Sequence, residues 1–232
     1  MALDDDGIGP QLIEAIFVPR GAEERAVRKG LARAGAAIQV VPTGIGSLAA
    51  VRAVDEAVAA AGLRTALCTG LCGLLSPAFA VGDTLVYREL LAEDQAPLMP
   101  DPELGDAVAA RAPGSQSGIR ALGSSHILTT AEQKRAAAAR FDADAVDMES
   151  FALVERLQRA GVAVAVARVA SDEVGDDLPQ LDRALNGSGG IDGFALALAM
   201  LREPRRGLRL AFGALRALGA LERLIASVAA AR

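Results

Sequence analysis

Two short stretches carry carboxylates where they can do chemistry. In Ala145-Val-Asp-Met-Glu-Ser150, Glu149 enters a helix directly behind an apolar residue, and in Ser171-Asp172 an acid stands at the exit of the most apolar run in the chain. Two carboxylates in strand-end loops of one sheet are placed to flank a ligand. Such a pair suits the breaking of a bond between a sugar and a nitrogen base, which develops positive charge on the sugar ring and negative charge on the departing base. One carboxylate should hold the sugar hydroxyls and favour the cation, while the other, a protonated acid, serves the base. Ordinary glycoside hydrolysis follows the same two-carboxylate logic with oxygen as the leaving atom. Each stretch also has a plainer reading: a Glu in a first helical turn is favoured by the helix dipole, and Ser-Asp commonly forms turns after strands.

The elements that must position these acids read as alternating strands and helices. Ala15-Ile-Phe-Val-Pro19 is a short apolar run ended by proline, and Ala22 to Ala34 has helical spacing with Ala26, Val27, Leu31 and Ala34 on one side. Ala37 to Val41 repeats the strand, and Pro-Thr-Gly-Ile-Gly-Ser47 leads into an Ala-rich helix with Ser47 as N-cap. Thr65-Ala-Leu-Cys68 reads as a buried strand running into a glycine-containing turn, Thr69-Gly-Leu-Cys-Gly73. Val81 to Leu90 is strand-like, and Glu132 to Phe141 and Met148 to Ala160 read as helices, the second stopped by Gly161. Val162 to Val169 is nearly continuous apolar sequence, as in a strand covered on both faces. Alternation of this kind predicts an α/β fold with a mostly parallel sheet, and ligands of such sheets sit beyond the carboxyl ends of the strands. The segments after Val18, Val41, Cys68 and Val169 are therefore where chemistry is expected. Residues 1–13 read as a flexible leader, 14–203 as the catalytic domain and 204–232 as a basic amphipathic helix beyond Pro204, which breaks the chain after a helix over Gly193 to Leu201.

Composition narrows the function. With 24 Lys and Arg against 29 Asp and Glu the 232 residues carry a net charge of -5, and one Tyr without Trp leaves little for base stacking, so nucleic-acid binding is disfavoured. The acidic start lacks the basic residues of a secretory signal, and two cysteines cannot build a disulfide framework, which points to the cytoplasm. Gly44-Ile-Gly46-Ser-Leu-Ala49 matches a loose dinucleotide-binding pattern, but the next strand ends in Cys68-Thr69-Gly70 rather than in the ribose-binding acid that pattern needs. Cys68, Cys72 and the single His126 are too few for zinc, so the cysteines read as small buried residues and His126 as a loop or rim residue. Neither metal nor organic cofactor is expected.

The ordered set Thr43-Gly-Ile-Gly46, Thr69-Gly-Leu-Cys-Gly73, Ser76-Pro-Ala-Phe-Ala-Val-Gly-Asp83, Val146-Asp-Met-Glu-Ser150 and Ala167-Arg-Val-Ala-Ser-Asp172 resembles the purine nucleoside phosphorylase and methylthioadenosine/adenosylhomocysteine nucleosidase superfamily, over about Ile16 to Asp177. The resemblance implies a three-layer α/β/α sandwich around a mixed, partly barrel-like central sheet. It implies that Asp172 is the acid near purine N7, oriented by Ser171, that Glu149 binds the ribose hydroxyls with Met148 packed on the sugar, and that Gly73 and Leu71 line the substrate. For the group that activates water it offers Glu23 or Glu24. Phosphorylases of this kind carry an arginine and a serine or threonine in the turn after the third strand, as a phosphate demands. Cys68 and Leu71 hold those places here, so water is the expected nucleophile; Arg20 and Arg25 keep phosphate as the alternative. Where nucleosidases place an aromatic against the purine this chain has Ser125-His126-Ile127, with Phe151 the nearest aromatic, which leaves the nucleoside open. A homo-oligomer, first of all a dimer, is implied, and a catalytically silent nucleoside-binding protein is the competing reading.

The tail with the preceding Asp176-Asp-Leu-Pro179 resembles cyanobacterial-type members and the hopanoid-associated phosphorylases, which act on an adenosylated lipid. From Arg202 onward seven Arg stand against two Glu, and Leu208, Ala211, Leu215, Leu218, Ile225 and Val228 recur as on one helical face. That helix is expected to pack on the domain or a partner, with peripheral contact to an anionic membrane as the alternative.

Overall fold

The structure, a computed structural model, describes residues 12–44, 47–178 and 204–230. The expected leader (apart from Leu12 and Ile13), the end of the Gly44-Ile-Gly46 turn and the helix read over Gly193 to Leu201 lie outside the described residues. The elements run β1 (Ala15–Pro19), α1 (Ala22–Ala34), β2 (Gln39–Thr43), α2 (Ser47–Ala61), β3 (Thr65–Leu74), β4 (Thr84–Leu91), α3 (Pro102–Arg111), β5 (Gln116–Gly123), α4 (Ala131–Phe141), β6 (Ala145–Asp147), α5 (Ser150–Arg159), β7 (Ala163–Asp172) and α6 (Pro204–Ala229).

The strands form one mixed sheet in the order β2-β1-β3-β6-β5-β4-β7, and β7 returns to pair with β3, closing five strands into a barrel with β1 and β2 as its extension. Among the described strands, β3 with β6 and β4 with β7 are the antiparallel pairs. Alternation along the strands divides the core. Ala15, Phe17, Ala66, Cys68, Val164 and Val166 face α2 and α5, whereas Ile16, Val18, Leu67, Ala165, Ala167 and Val169 face α1, α3 and α6. This is a three-layer α/β/α arrangement with a partly barrel-like sheet.

Two expectations change. The turn read over Thr69 to Gly73 is strand, because β3 continues to Leu74 in parallel register with β7 from Thr65↔Ala163 to Gly73↔Asp172. Its glycines let other side chains approach the backbone, as described below. The helix read from Met148 begins at Ser150; Asp147 Oδ1 accepts from the N–H groups of Glu149 (2.9 Å) and Ser150 (2.7 Å), and so caps α5 from three residues upstream. The elements α3, β5 and β6 have no reading of their own in the sequence; α3 has an ordinary local cause, as Asp101 accepts from Leu104 N–H ahead of a proline at the first helical position.

The C-terminal helix packs on its own domain. Ala217, Ala220, Leu221, Leu224, Ile225 and Val228 are buried at spacings of three and one, facing α1 and β7. Of the stripe expected from sequence, Ile225 and Val228 lie in this seam, while Leu208 and Leu215 are exposed together with Phe212. No described helix is long and apolar enough to cross a membrane. The α1–α6 crossing is close: a Cβ on Gly30 would lie 2.6 Å from the Glu222 carbonyl oxygen and 2.8 Å from Ile225 Cβ. Overpacking of this kind costs about 1–3 kcal/mol, so Gly30→Ala should lower Tm by several degrees in a calorimetric scan; an unchanged Tm would show that the crossing has slack.

Candidate active site

The site is built around Arg168. This guanidinium is wholly buried in β7, where the parity of Val164, Val166 and Ala170 turns it toward α5. A charge there must be paired and hydrogen-bonded, and four residues supply the partners. Nε donates to Ser150 Oγ (3.0 Å) and lies 3.5 Å from Asp147 Oδ2. Nη1 donates to the Leu71 carbonyl oxygen (3.1 Å) and to Glu149 Oε2 (3.4 Å). Burial opposes the arginine's charge, but the carboxylates of Asp147 and Glu149 outweigh it and raise its affinity for the proton.

Leu71 is occupied on both sides. Its N–H donates to Glu23 Oε1 (2.7 Å), reaching across from the first turn of α1. Gly70 makes this approach possible: its φ of +142° suits glycine, and a Cβ there would stand 2.7 Å from Glu23 Oε1 and 3.0 Å from Arg168 Nη1. Burial pushes the Glu23 carboxyl up to about 7, against the Leu71 N–H and Arg168, with Glu149 and Asp147 adding to the rise. Glu24 is not part of this cluster. It lies on the next face of α1, bonded to Arg28 one turn along, so of the two candidates only Glu23 points inward.

Asp172 ends β7 two residues further along β3, beside Gly73, about 7 Å from Leu71 by strand rise. A Cβ on Gly73 would be 3.1 Å from Asp172 Oδ2. Asp172 is buried, and both its oxygens are engaged: Oδ1 is 2.7 Å from Ser171 Oγ, and Oδ2 accepts from Lys134 Nζ at 2.5 Å. Ser171 Oγ is also 3.1 Å from the Cys72 carbonyl oxygen, which ties this acid to β3.

Met148, Phe151 and His126 line a cavity of about 670 Å³ between α4, α5 and the loop after β5, with His126 exposed at its rim. That volume is in the range of small-molecule sites. Ser171 and Asp172 border a second cavity of about 360 Å³ against α6. Glu149 lines neither, being enclosed with Arg168, so the two acids do not open into one cavity among the described residues. What joins them is the β3 segment Gly70 to Gly73, which Glu23, Glu149 (through Arg168) and Asp172 all approach. Burial pushes the thiols of Cys68 and Cys72 up to about 12, which removes them as nucleophiles. Among the described residues no group of three His, Cys, Asp or Glu is placed to hold a metal.

Arg168, Asp147 and Lys134 were not singled out from sequence. Arg168 carried a signal, as the one charge in the apolar run from Val162 to Ala170. Lys134 carried little, because it is the one fully buried residue of α4 and a lysine on the same face as Ala137, Ala138 and Phe141 reads as a side chain reaching solvent.

A model of the phosphorylase superfamily matches residues 12–187, well over half of the sequence. The chain belongs to that superfamily. Its members are enzymes that cleave N-glycosidic bonds, and this chain is one of them. No curated protein matches by sequence. Among solved structures the fold is similar to 5'-methylthioadenosine/S-adenosylhomocysteine nucleosidase from Helicobacter pylori (TM-score 0.70, 15% identity, covering 92% of this chain and 96% of that one). It is also similar to futalosine hydrolase from the same organism (0.68, 13%, 92% and 95%). A third likeness is to the methylthioadenosine/S-adenosylhomocysteine nucleosidase of Colwellia psychrerythraea in complex with adenine (0.67, 17%, 93% and 96%).

Two outcomes follow from the Arg168 cluster. Arg168→Leu leaves Asp147 and Glu149 buried without their cation and should cost about 3–5 kcal/mol in denaturant unfolding; a loss under 1 kcal/mol would show that the acids do not depend on it. Glu23 keeps its proton to about pH 7 in the fold but only to about 4.5 when unfolded, so the folded state binds more protons between those values. Stability should therefore fall as pH rises through that window, and Glu23→Gln should flatten the slope.

Proposed function

We propose that this enzyme hydrolyses the N-glycosidic bond of a purine nucleoside. The observation that carries the reading is Glu23: a carboxyl pushed up to about 7 by burial, bonded to β3 at Leu71 and placed beside the Arg168–Glu149 pair. A base near neutrality is what activation of water requires. In this reading the nucleoside lies along Gly70 to Gly73, with its sugar by Glu23 and Glu149 and its base toward Asp172. Met148 and Phe151 line the larger cavity, which neither Glu149 nor Asp172 borders among the described residues, and they take no part in this placement. Water gives its proton to Glu23 as its oxygen bonds to C1'; the C1'–N9 bond breaks, and the electron pair leaves with the base, which takes up a proton at N7. Glu149, with Asp147 behind it, favours the positive charge on the ribose ring.

Water is favoured over phosphate because the cations near β3 already face carboxylates, although Arg168 Nη2 is buried without a hydrogen-bond partner. Arg168 is held by Asp147, Glu149, Ser150 and Leu71, and Lys134 by Asp172, while Arg20 and Arg25 are exposed. The Leu71 N–H that a phosphate oxygen would use already serves Glu23. Adenine is the base to test first, since the Colwellia nucleosidase holds it on the same fold.

A panel of purine nucleosides with varied 5' groups, incubated with and without phosphate, should yield free base and ribose in both arms. Release of ribose-1-phosphate only when phosphate is present would instead establish phosphorolysis, and binding without turnover of any nucleoside would leave a binding protein. With a substrate in hand, kcat/KM should rise with pH through a midpoint near 7 as Glu23 loses its proton. Glu23→Gln should lower kcat by about 10²–10⁴-fold.

A further inference from the structure

Both oxygens of Asp172 are engaged, Oδ1 with the Ser171 hydroxyl at 2.7 Å and Oδ2 with the Lys134 ammonium at 2.5 Å. A departing purine needs a proton, and the cationic donor in contact with Asp172 is the lysine. Lys134 is 1% exposed, on a helix whose other residues are not buried, and its stem runs inward to this one carboxylate. Its orientation is fixed with care. Thr130 and Gln133 form a reciprocal capping box at the start of α4, and the Lys134 N–H bonds the Thr130 carbonyl oxygen. The segment beyond β7 is clasped to the same helix end, with Ala131 N–H on Asp177 Oδ1 and Leu178 N–H on the Thr129 carbonyl oxygen. The remaining donors of Nζ go to the carbonyl oxygens of Glu173 (2.7 Å) and Asp176 (3.3 Å). Every contact of the ammonium is thus to an acceptor, and Asp172 is the one among them that can take its proton.

The geometry points to Lys134 and Asp172 acting as a pair in which the lysine supplies, through Asp172, the proton that the purine takes as it leaves. This rests on the glycosidic hydrolysis proposed above. As C1'–N9 breaks and the electron pair moves into the base, one proton passes from the Lys134 ammonium to Asp172 Oδ2 and from Asp172 to N7, which leaves Asp172 a carboxylate and Lys134 a neutral amine. Glu23 has taken a proton from the attacking water, and exchange with solvent returns one to Lys134 after the products leave, so the cycle closes without another reactant. Lys134 touches no substrate in this scheme. It is a positioning residue that also holds the proton.

A structural clasp for the 173–176 segment would use the same contacts, so the test needs a readout that a clasp does not move. The leaving group provides it. A purine nucleoside needs the proton, whereas 4-nitrophenyl β-D-ribofuranoside releases a phenolate that does not. Lys134→Met, which keeps the apolar stem, should lower kcat on the purine nucleoside about 10²–10³-fold and the nitrophenyl riboside far less, so that the ratio of the two rates changes by about 100-fold. Lys134→Arg covers the case in which the Met variant fails to fold, because it keeps a cation on Asp172 but one that does not give up its proton; the same change in ratio is expected. Asp172→Asn should show that ratio too, and the Lys134→Met/Asp172→Asn double variant should be no worse than Asp172→Asn alone. Equal losses on both substrates, or full activity of Lys134→Arg on the nucleoside, would overturn the relay and leave glycosidic hydrolysis standing. A wild type that cleaves neither substrate would overturn both.

Discussion

A buried guanidinium is expensive to keep, and the arrangement of the site follows from how Arg168 is kept. Its partners come from Leu71 on β3 and from the stretch Asp147 to Ser150 that joins β6 to α5, so one charge on β7 fastens two pieces of chain that are far apart in sequence. Buried ion clusters of this kind add little net stability, since desolvation consumes most of the attraction. Their effect here is positional. The Asp147 carboxylate that meets Arg168 with one oxygen uses the other to cap α5, which fixes the backbone of Glu149 and Ser150. The acids also outnumber the cation. Arg168 faces Asp147, Glu149 and Glu23, and the excess is relieved by Glu23 holding a proton up to about pH 7. A site short of positive charge is one where a cationic sugar is favoured, and the same shortage makes a dianion such as phosphate a poor guest.

The second charged pair lies at the other end of the same strand segment and is balanced differently. Lys134 and Asp172 meet one to one, so that pair adds no net charge to the pocket but keeps a proton within one hydrogen bond of it. Between the two clusters run Gly70, Leu71, Cys72 and Gly73. Leu71 is bonded on both of its backbone groups, and the flanking glycines leave room for Glu23 on one side and Asp172 on the other. A side chain at either glycine would crowd Glu23 or Asp172. The segment therefore sets the spacing between the Glu23 carboxyl and the Asp172–Lys134 pair.

Much of the frame was legible in the residues. The apolar runs at Ala15 and Val162 became central strands, and the alternation of strand and helix gave the layers, because burial on two faces writes itself into composition. The two acids singled out by their positions at strand ends do sit there. Glu23 could have been separated from Glu24 by helical period alone: Glu23, Ala26, Val27 and Gly30 share a face, whereas Glu24 pairs with Arg28 on the surface. The extension of β3 through Gly73 was hidden, since glycines that serve close approach look the same in sequence as glycines that serve a turn. Lys134 was hidden for a different reason. Its burial is decided by Asp172, Glu173 and Asp176, which only the tertiary fold brings to it, and nothing in the local pattern of α4 records them.

The same reasoning changes the standing of the C-terminal helix. By charge it looked like an attachment, basic where the rest of the chain is acidic. Its contacts make it part of the wall. A Cβ on Gly213 would lie 2.4 Å from the carbonyl oxygen of Ser171, so α6 is pressed against the residue that orients Asp172. Arg209 reaches Asp176, whose carbonyl oxygen is one of the acceptors of Lys134, and Phe212 and Arg216 share the smaller cavity with Asp172 itself. The half of α6 from Ala217 to Val228 anchors in the core against α1. The half before it leans on the end of β7, so a shift of this helix along its seam would be felt at Ser171 and, through it, at Asp172.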